Sequence, residues 1–431
     1  MISLLIKNVA LPNGSISDIA VSGDVIAEVG SDLTAEAETT IDGSGLVALP
    51  GFVDLHTHLR EPGFEQSETI LSGSQSAAAG GFTAVHAMAN TSPVQDTAGV
   101  VEQVKALGLS AGYVDVVPVG AVTVGLDGKQ LAELNAMATS KARVRVFSDD
   151  GKCVHDPVLM RRALEYVKAF DGVVAQHAQE PRLTEGAQMN EGKVSAELGL
   201  TGWPAVAEES IIARDVLLAE HVGSRVHICH LSTAGSVEII RWAKNRGIKV
   251  TAEVTPHHLL LTEDLVRGYD AVYKVNPPLR TLEDVAALRA ALVDGTIDII
   301  ATDHAPHPIE AKDCEWQAAA FGMLGLEIAA AVAQEVLIES GESSWQRMAE
   351  VLSHNPSMIG RLTEQGQEIK AGSIANLVLI DPKAKRLIQG SSSKSVNNPY
   401  LGLTLPGAVM HTIYRGFQTV AYGQLANTGR A

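Results

Sequence analysis

The chain is short of cysteine. Its three, Cys153, Cys229 and Cys314, are scattered with no paired spacing, which argues against a disulfide framework and fits a reducing compartment. Positive charge is scarce too: 33 Lys and Arg stand against 50 Asp and Glu, for a formal net charge of -17 and a pI near 5.3. Nucleic acid and anionic membranes would be repelled on average, so neither is expected as a partner. No apolar run is long enough to cross a bilayer. The N-terminus, MISLLIKNVALPNG, has no basic region before its apolar stretch and no small-residue cleavage site. It reads as a first strand, and the expected location is the cytoplasm. Internal repeats are missing, as is low-complexity sequence apart from a brief run at 390–395. An acidic surface still allows a small anionic substrate, because bound cations and one arginine can reverse the field inside a pocket.

What is present is a large core and a regular alternation. The 431 residues are 46% hydrophobic and 19% charged, enough for one big α/β domain and a smaller attachment. Residues 2–50 carry short alternating segments at 4–9, 16–21, 25–29 and 48–49, split by turn residues. From Gly51 onward, apolar runs at 51–58, 83–90, 114–122, 143–150, 173–177, 225–231, 249–256 and 297–303 alternate with amphipathic stretches that include 157–170, 207–219, 235–245 and 282–293. Eight such units predict a (β/α)8 barrel of the TIM type, with an open doubly wound sheet as the second choice. After helical stretches at 327–339 and 345–359, strand-like segments return at 374–379, 409–414 and 420–422. The expected division is a barrel over 51–364 and a small β-sandwich domain formed by 1–50 together with 365–431. The loop at 179–204 is long and polar, a length that tends to mean function.

Polar and ionisable residues gather where the runs end. His56 and His58 close the first, Asn90 the second, Asp149 and Asp150 the fourth, His177 the fifth, His230 the sixth, and Asp303 to His307 the eighth. Barrel enzymes build their sites at that rim. In a strand, residues i and i+2 share a face, so His56 and His58 present two imidazoles side by side with Asp54 behind them. A pair capping an exposed strand end would be the bland alternative, and the second strand ending in DHAPH outweighs it. A first metal would take His56, His58 and Asp303, a second His177 and His230. The two cations need an anionic bridge. Asp150 shares a face with Val146 and Ser148 while Asp149 points the other way, and parity alone does not decide between them; a modified Lys152 is a remoter option. A sulfur-free set of imidazoles and carboxylates favours Zn2+, two per subunit, with Mn2+, Co2+ or Fe2+ able to substitute. Water held between such ions ionises near neutral pH and is the expected nucleophile, with Asp303 placed to shuttle its proton.

Other histidines are expected elsewhere. His227 and Cys229 share the face opposite His230 and are read as packed in the core, His227 beneath helices. His86, His155, His221, His354 and His411 are read as structural or exposed, His257 and His258 stay ambiguous, and His304 should face away from the metals.

At these residues the chain resembles the dihydroorotases of the amidohydrolase superfamily, in the class that bridges its metals with aspartate rather than carboxylated lysine. The matching segments are PGFVDLHTHLREPG (50–63), GGFTAVHAMANTSP (80–93), FSDDG (147–151), QHAQE (176–180), HICHLST (227–233), TAEVTPHHLLL (251–261), NPPLR (276–280) and ATDHAPH (301–307). They span the barrel region. HxH alone is shared by the whole superfamily; HLREP, NPPLR and DHAPH together are far more specific. The resemblance implies His56, His58, Asp150, His177, His230 and Asp303 as metal ligands, choosing Asp150 over Asp149, and Asp303 as the catalytic acid/base. It implies Arg60, Asn90, Asn276 and His307 as substrate contacts together with His58, and backbone contacts from Phe321 and Gly322. The implied reaction is the reversible cyclisation of N-carbamoyl-L-aspartate to L-dihydroorotate in pyrimidine biosynthesis. A small-molecule substrate and a homo-oligomer such as a dimer go with it, and association with aspartate transcarbamoylase is compatible. Two rivals stand beside this reading. A dihydropyrimidinase, hydantoinase or allantoinase generally carries lysine where this chain has Asp149-Asp150 and lacks the arginine after HxH. A non-catalytic homologue serving as a scaffold for aspartate transcarbamoylase would have lost metal ligands, and none is missing.

Overall fold

In the computed structural model, which describes residues 1–427, eight parallel strands stand around one axis. They are Phe52–Thr57, Phe82–Ala87, Asp115–Pro118, Val146–Phe147, Val173–Gln176, Val226–Ile228, Val250–Val254 and Ile299–Ile300. Ladders join the first three and the last five. Parallel bridges Gly120–Phe147 and Thr57–His304 link the two arcs at both seams, so the sheet closes into a (β/α)8 barrel. Buried Asp54 reinforces the second seam: its carboxylate accepts from the Thr302 N–H at 3.0 Å, the His56 N–H at 3.1 Å and the Thr302 hydroxyl. Burial pushes that carboxyl up to about 7, against those three donors.

The barrel interior is filled by Leu55, Met88, Val146, Ala175, Cys229, Ile299 and their neighbours, which leaves only the rim open for chemistry. Outside, helices cover the strands by ordinary amphipathic logic. In Pro157–Lys168, Asp156 caps the N–H groups of Val158 and Leu159, Pro157 opens the first turn, and Met160, Ala163, Leu164 and Val167 form the buried stripe. Met160, Leu164 and Val167 each contribute about 1.5–3 kcal/mol when taken from water.

The ladders are shorter than the apolar runs. Residues 119–122, 148–150 and 301–303 continue beyond the ladder strands as rim segments, and of these Asp150 and Asp303 reach the pocket. The long loop is itself folded: Met189–Asn190 pairs with Gly202–Trp203 around the helix Lys193–Leu198, and Met189 and Val194 pack on Val266, Trp316 and Ala319.

A nine-stranded sheet flanks the barrel. Val47–Pro50 runs antiparallel to Leu377–Leu387, so N- and C-terminal segments share one ladder with Leu49 opposite Val378. Two features escaped the sequence reading. Ala37–Asp42 pairs in parallel with Ile2–Ala10 although most of its side chains are polar or exposed. Leu377–Leu387 continues through Asp381-Pro382, which reads as a turn but is accommodated by a register shift between Asp381 and Lys385. The last four residues of the expected 365–431 segment, 428–431, lie outside the described residues.

Candidate metal centre and active site

Six rim side chains meet in one buried cluster. His56 and His58 direct Nε2 at Asp150 Oδ2, each at 3.3 Å, and at Asp303 Oδ1, at 3.5 and 3.0 Å. The other oxygen of Asp150 faces His177 Nδ1 at 3.2 Å and His230 Nε2 at 3.3 Å. One carboxylate thus separates two ligand sets, His56–His58–Asp303 and His177–His230, each closed by its own Asp150 oxygen. Within each set the donor atoms lie within 4.8 Å of one another. Asp149 is turned away and buried, accepting from the N–H groups of Val122 at 2.8 Å and Thr123 at 3.0 Å. Lys152 sits exposed beyond it.

Three of the four rings are oriented from behind. Glu253 Oε1 receives His56 Nδ1 at 2.7 Å, Asn90 Oδ1 receives His58 Nδ1 at 2.9 Å, and Gln179 Oε1 receives His177 Nε2 at 2.7 Å. With those nitrogens donating, the opposite nitrogen of each neutral ring points a lone pair into the cluster. Among the described residues, buried His56 Nε2 has no hydrogen-bond partner. Lone pairs facing carboxylate oxygens repel unless positive charge lies between them. The titration directions say the same. Burial opposes ionisation of Asp150 and Asp303, yet the imidazoles, His56 foremost, hold both carboxyls below the usual range. Burial also opposes protonation of His56 and His58, and the facing carboxylates raise both. A nitrogen–oxygen donor set of this kind, sulfur-free and shared through one carboxylate, fits a pair of divalent cations.

Above the cluster is a cavity of about 270 Å³, lined by His58, Asp150, His177 and Asp303 and by all the expected substrate contacts: Arg60, Asn90, Asn276, His307, Phe321 and Gly322. Arg60 donates Nε–H to the Pro306 carbonyl at 3.1 Å. Its Nη2 lies 3.3 Å from His307 Nε2, but that nitrogen is 2.8 Å from the Phe321 carbonyl and must donate there. Burial first, and then Arg60, lowers His307 to about 3, so its ring is neutral near pH 7. The outer nitrogens of Arg60 are therefore left for another acceptor, and burial alone lowers the guanidinium to about 10. Asn276 donates Nδ2 to Gln179 at 3.1 Å, while its buried Oδ1 has no partner among the described residues. Arg60, His230 and Asp303 hold φ of +64°, +32° and +44°. Such backbone costs roughly 1–3 kcal/mol per residue and persists where the surroundings enforce it.

The expectation for His227 is corrected. It lies inside the barrel rather than beneath helices, with Nε2 3.0 Å from Glu253 Oε2 and Nδ1 2.9 Å from Thr251 Oγ1. It thus forms the far end of a chain that runs through Glu253 to His56. Alternation predicted opposite faces for His227 and His230, but the strand stops at Ile228 and the backbone turns before His230. His257 and His258 both stand outside the ligand sets. His258 bridges Thr255 Oγ1 and the Pro277 carbonyl; both ring nitrogens of His257 are buried without partners, and burial lowers it to about 4. His304 turns to Glu68, at 3.5 Å. Glu253 and Gln179 were missed. Glu253 had a readable signal, as the one charged residue in the buried run VTAEV.

The family described as Dihydro-orotase-like matches residues 45–236. Among curated relatives, the dihydroorotase of Leifsonia xyli subsp. xyli is 67% identical, covering 98% of this chain and 97% of the relative. That of Streptomyces coelicolor is 64% identical over 99% of this chain and all of the relative, and that of Mycobacterium tuberculosis is 52% identical over 98% and 99%. Among solved structures, L-hydantoinase (dihydropyrimidinase) from Arthrobacter aurescens superposes with a TM-score of 0.88 at 25% identity, covering 99% of this chain and 98% of that one. A D-hydantoinase from Thermus sp. reaches 0.81 at 23% identity, over 99% and 97%, a likeness of fold alone.

Proposed function

The chain belongs to the dihydroorotase family, and on that premise we propose that it closes N-carbamoyl-L-aspartate to L-dihydroorotate, and reopens it, at a pair of divalent cations. The observation that carries this reading is the Asp150 carboxylate, shared between two histidine sets, directly beneath a guanidinium with no carboxylate partner. His56, His58 and Asp303 would hold one cation, His177 and His230 the other, with Asp150 between, and Zn2+ suits these donors best. When bound, such cations lower the pKa of water and stabilise an oxyanion on the carbonyl.

The remaining chemistry belongs to side chains. Arg60 binds the carboxylate that both ring-opened and ring-closed forms carry, and its fork suits two oxygens. His307 stays neutral beside it, so the anion meets one cationic group without a second charge competing. Asn276 Oδ1, buried and unpartnered, offers an acceptor to a substrate N–H. In ring opening, water adds to the ring amide carbonyl while Asp303 takes its proton. The C–N bond then breaks, and Asp303 returns that proton to the leaving nitrogen. Ring closure is the same sequence reversed.

A hydantoinase or dihydropyrimidinase would share the fold, but cyclic amides without a carboxylate would leave the half-buried Arg60 guanidinium without an anionic partner. Purified protein should be assayed with dihydroorotate, dihydrouracil, hydantoin and allantoin, with metal analysis in parallel. Turnover of dihydroorotate alone is expected; preference for dihydrouracil or hydantoin would overturn the substrate assignment.

A further inference from the structure

The wall of the pocket that carries His307 and Gly322 has no regular structure. Residues 301–308 and 317–324 hold only coil, a turn at 317–319 and isolated bridges, so their spacing depends on individual hydrogen bonds. One buried side chain supplies three. Asn397, 2% exposed, accepts from the His307 N–H at 3.1 Å through Oδ1. Its Nδ2 donates to the Ala305 carbonyl at 2.9 Å and the Gly322 carbonyl at 3.1 Å. All three partners line the cavity. The segments they belong to touch closely: Gly322 sits at φ +146°, and a Cβ there would lie 2.8–2.9 Å from Ala305 and His307.

Asn397 is anchored in turn. The serine-rich run at 390–395 is a strap laid across the barrel rim, not a linker. Ser391 Oγ donates to Glu327 at 2.7 Å and Ser395 Oγ to the Ser67 carbonyl at 2.7 Å. Ser393 Oγ and the Lys394 N–H both donate to Glu68, which is buried and reaches His304, the neighbour of Asp303.

We infer that Asn397 is a positioning residue for substrate binding: it sets the separation of the His307 and Gly322 segments, and through them the place where Arg60 and His307 meet the substrate carboxylate. This rests on the substrate reading above. The amide is needed in both of its halves. Asn397→Asp keeps the acceptor for His307 N–H but turns a carboxylate toward two carbonyl oxygens, and Asn397→Ala removes all three bonds.

The test is steady-state kinetics of the metal-loaded full chain with dihydroorotate. For both variants KM is expected to rise about tenfold or more while kcat stays within about threefold, the pattern of lost ground-state binding, with metal content equal to the parent's. Ser393→Ala, which loosens the strap at Glu68 without touching the pocket, should move KM in the same direction by less, and it decides the matter if neither Asn397 variant folds. An unchanged KM, or kcat and the active fraction falling together at constant KM, would reduce Asn397 to a structural role and overturn the inference. A parent enzyme that does not turn over dihydroorotate would instead defeat the substrate reading, which the same experiment reports separately.

Discussion

On the metal side of the pocket, three imidazoles each have one nitrogen held by a partner behind it and the other aimed inward: Glu253 behind His56, Asn90 behind His58, Gln179 behind His177. On the substrate side, Arg60 has outer nitrogens without an acceptor and Asn276 a buried oxygen without a donor. One side is preorganised to receive positive charge, the other to receive an anion that also donates hydrogen bonds. The contrast separates effects on metal and turnover from effects on substrate affinity, and mutations on the two sides should divide the same way.

Asp150→Ala should have the largest effect, because it removes the group common to both ligand sets. Most bound metal and all measurable turnover are expected to disappear, read by elemental analysis and assay; full metal retention would transfer the bridge to Asp149 or Lys152. Asp303→Asn comes next. Loss of the proton carrier should lower kcat by about 10²–10⁴-fold, while the metal held by His177 and His230 remains. Crossing to the other side, Arg60→Met should leave metal content untouched and raise KM for dihydroorotate by roughly 10–100-fold, the loss expected for a charge-assisted pair. Unchanged KM and kcat would break the comparison. Glu253→Gln sharpens it with the smallest change: metal affinity should fall about 10–100-fold, with KM near the parent's once the protein is saturated with metal.

The ligands were legible because polar groups ending apolar runs are conspicuous, and because His56 and His58 sit on or beside a true ladder strand where alternation holds. Alternation failed at 227–230, where the strand is three residues long and the backbone turns at once. The choice of Asp150 over Asp149 came from the family resemblance; in the structure, Asp149 is occupied by the N–H groups of Val122 and Thr123. What stayed hidden were links between distant segments. Glu253 reaches His56 across 197 positions, and Asn397 reaches the 305–322 segments from just beyond the low-complexity run at 390–395. Apolar content likewise understated the flanking sheet, since Ala37–Asp42 is held by its backbone ladder rather than by buried side chains.

The most direct measurement is anomalous X-ray diffraction from crystals of the purified protein, collected on both sides of the zinc absorption edge. Two peaks are expected, one among His56, His58 and Asp303 and one beside His177 and His230, with an oxygen of Asp150 against each. A single peak with His177 and His230 turned away from it, in an enzyme fully active on dihydroorotate, would contradict the paired-cation account.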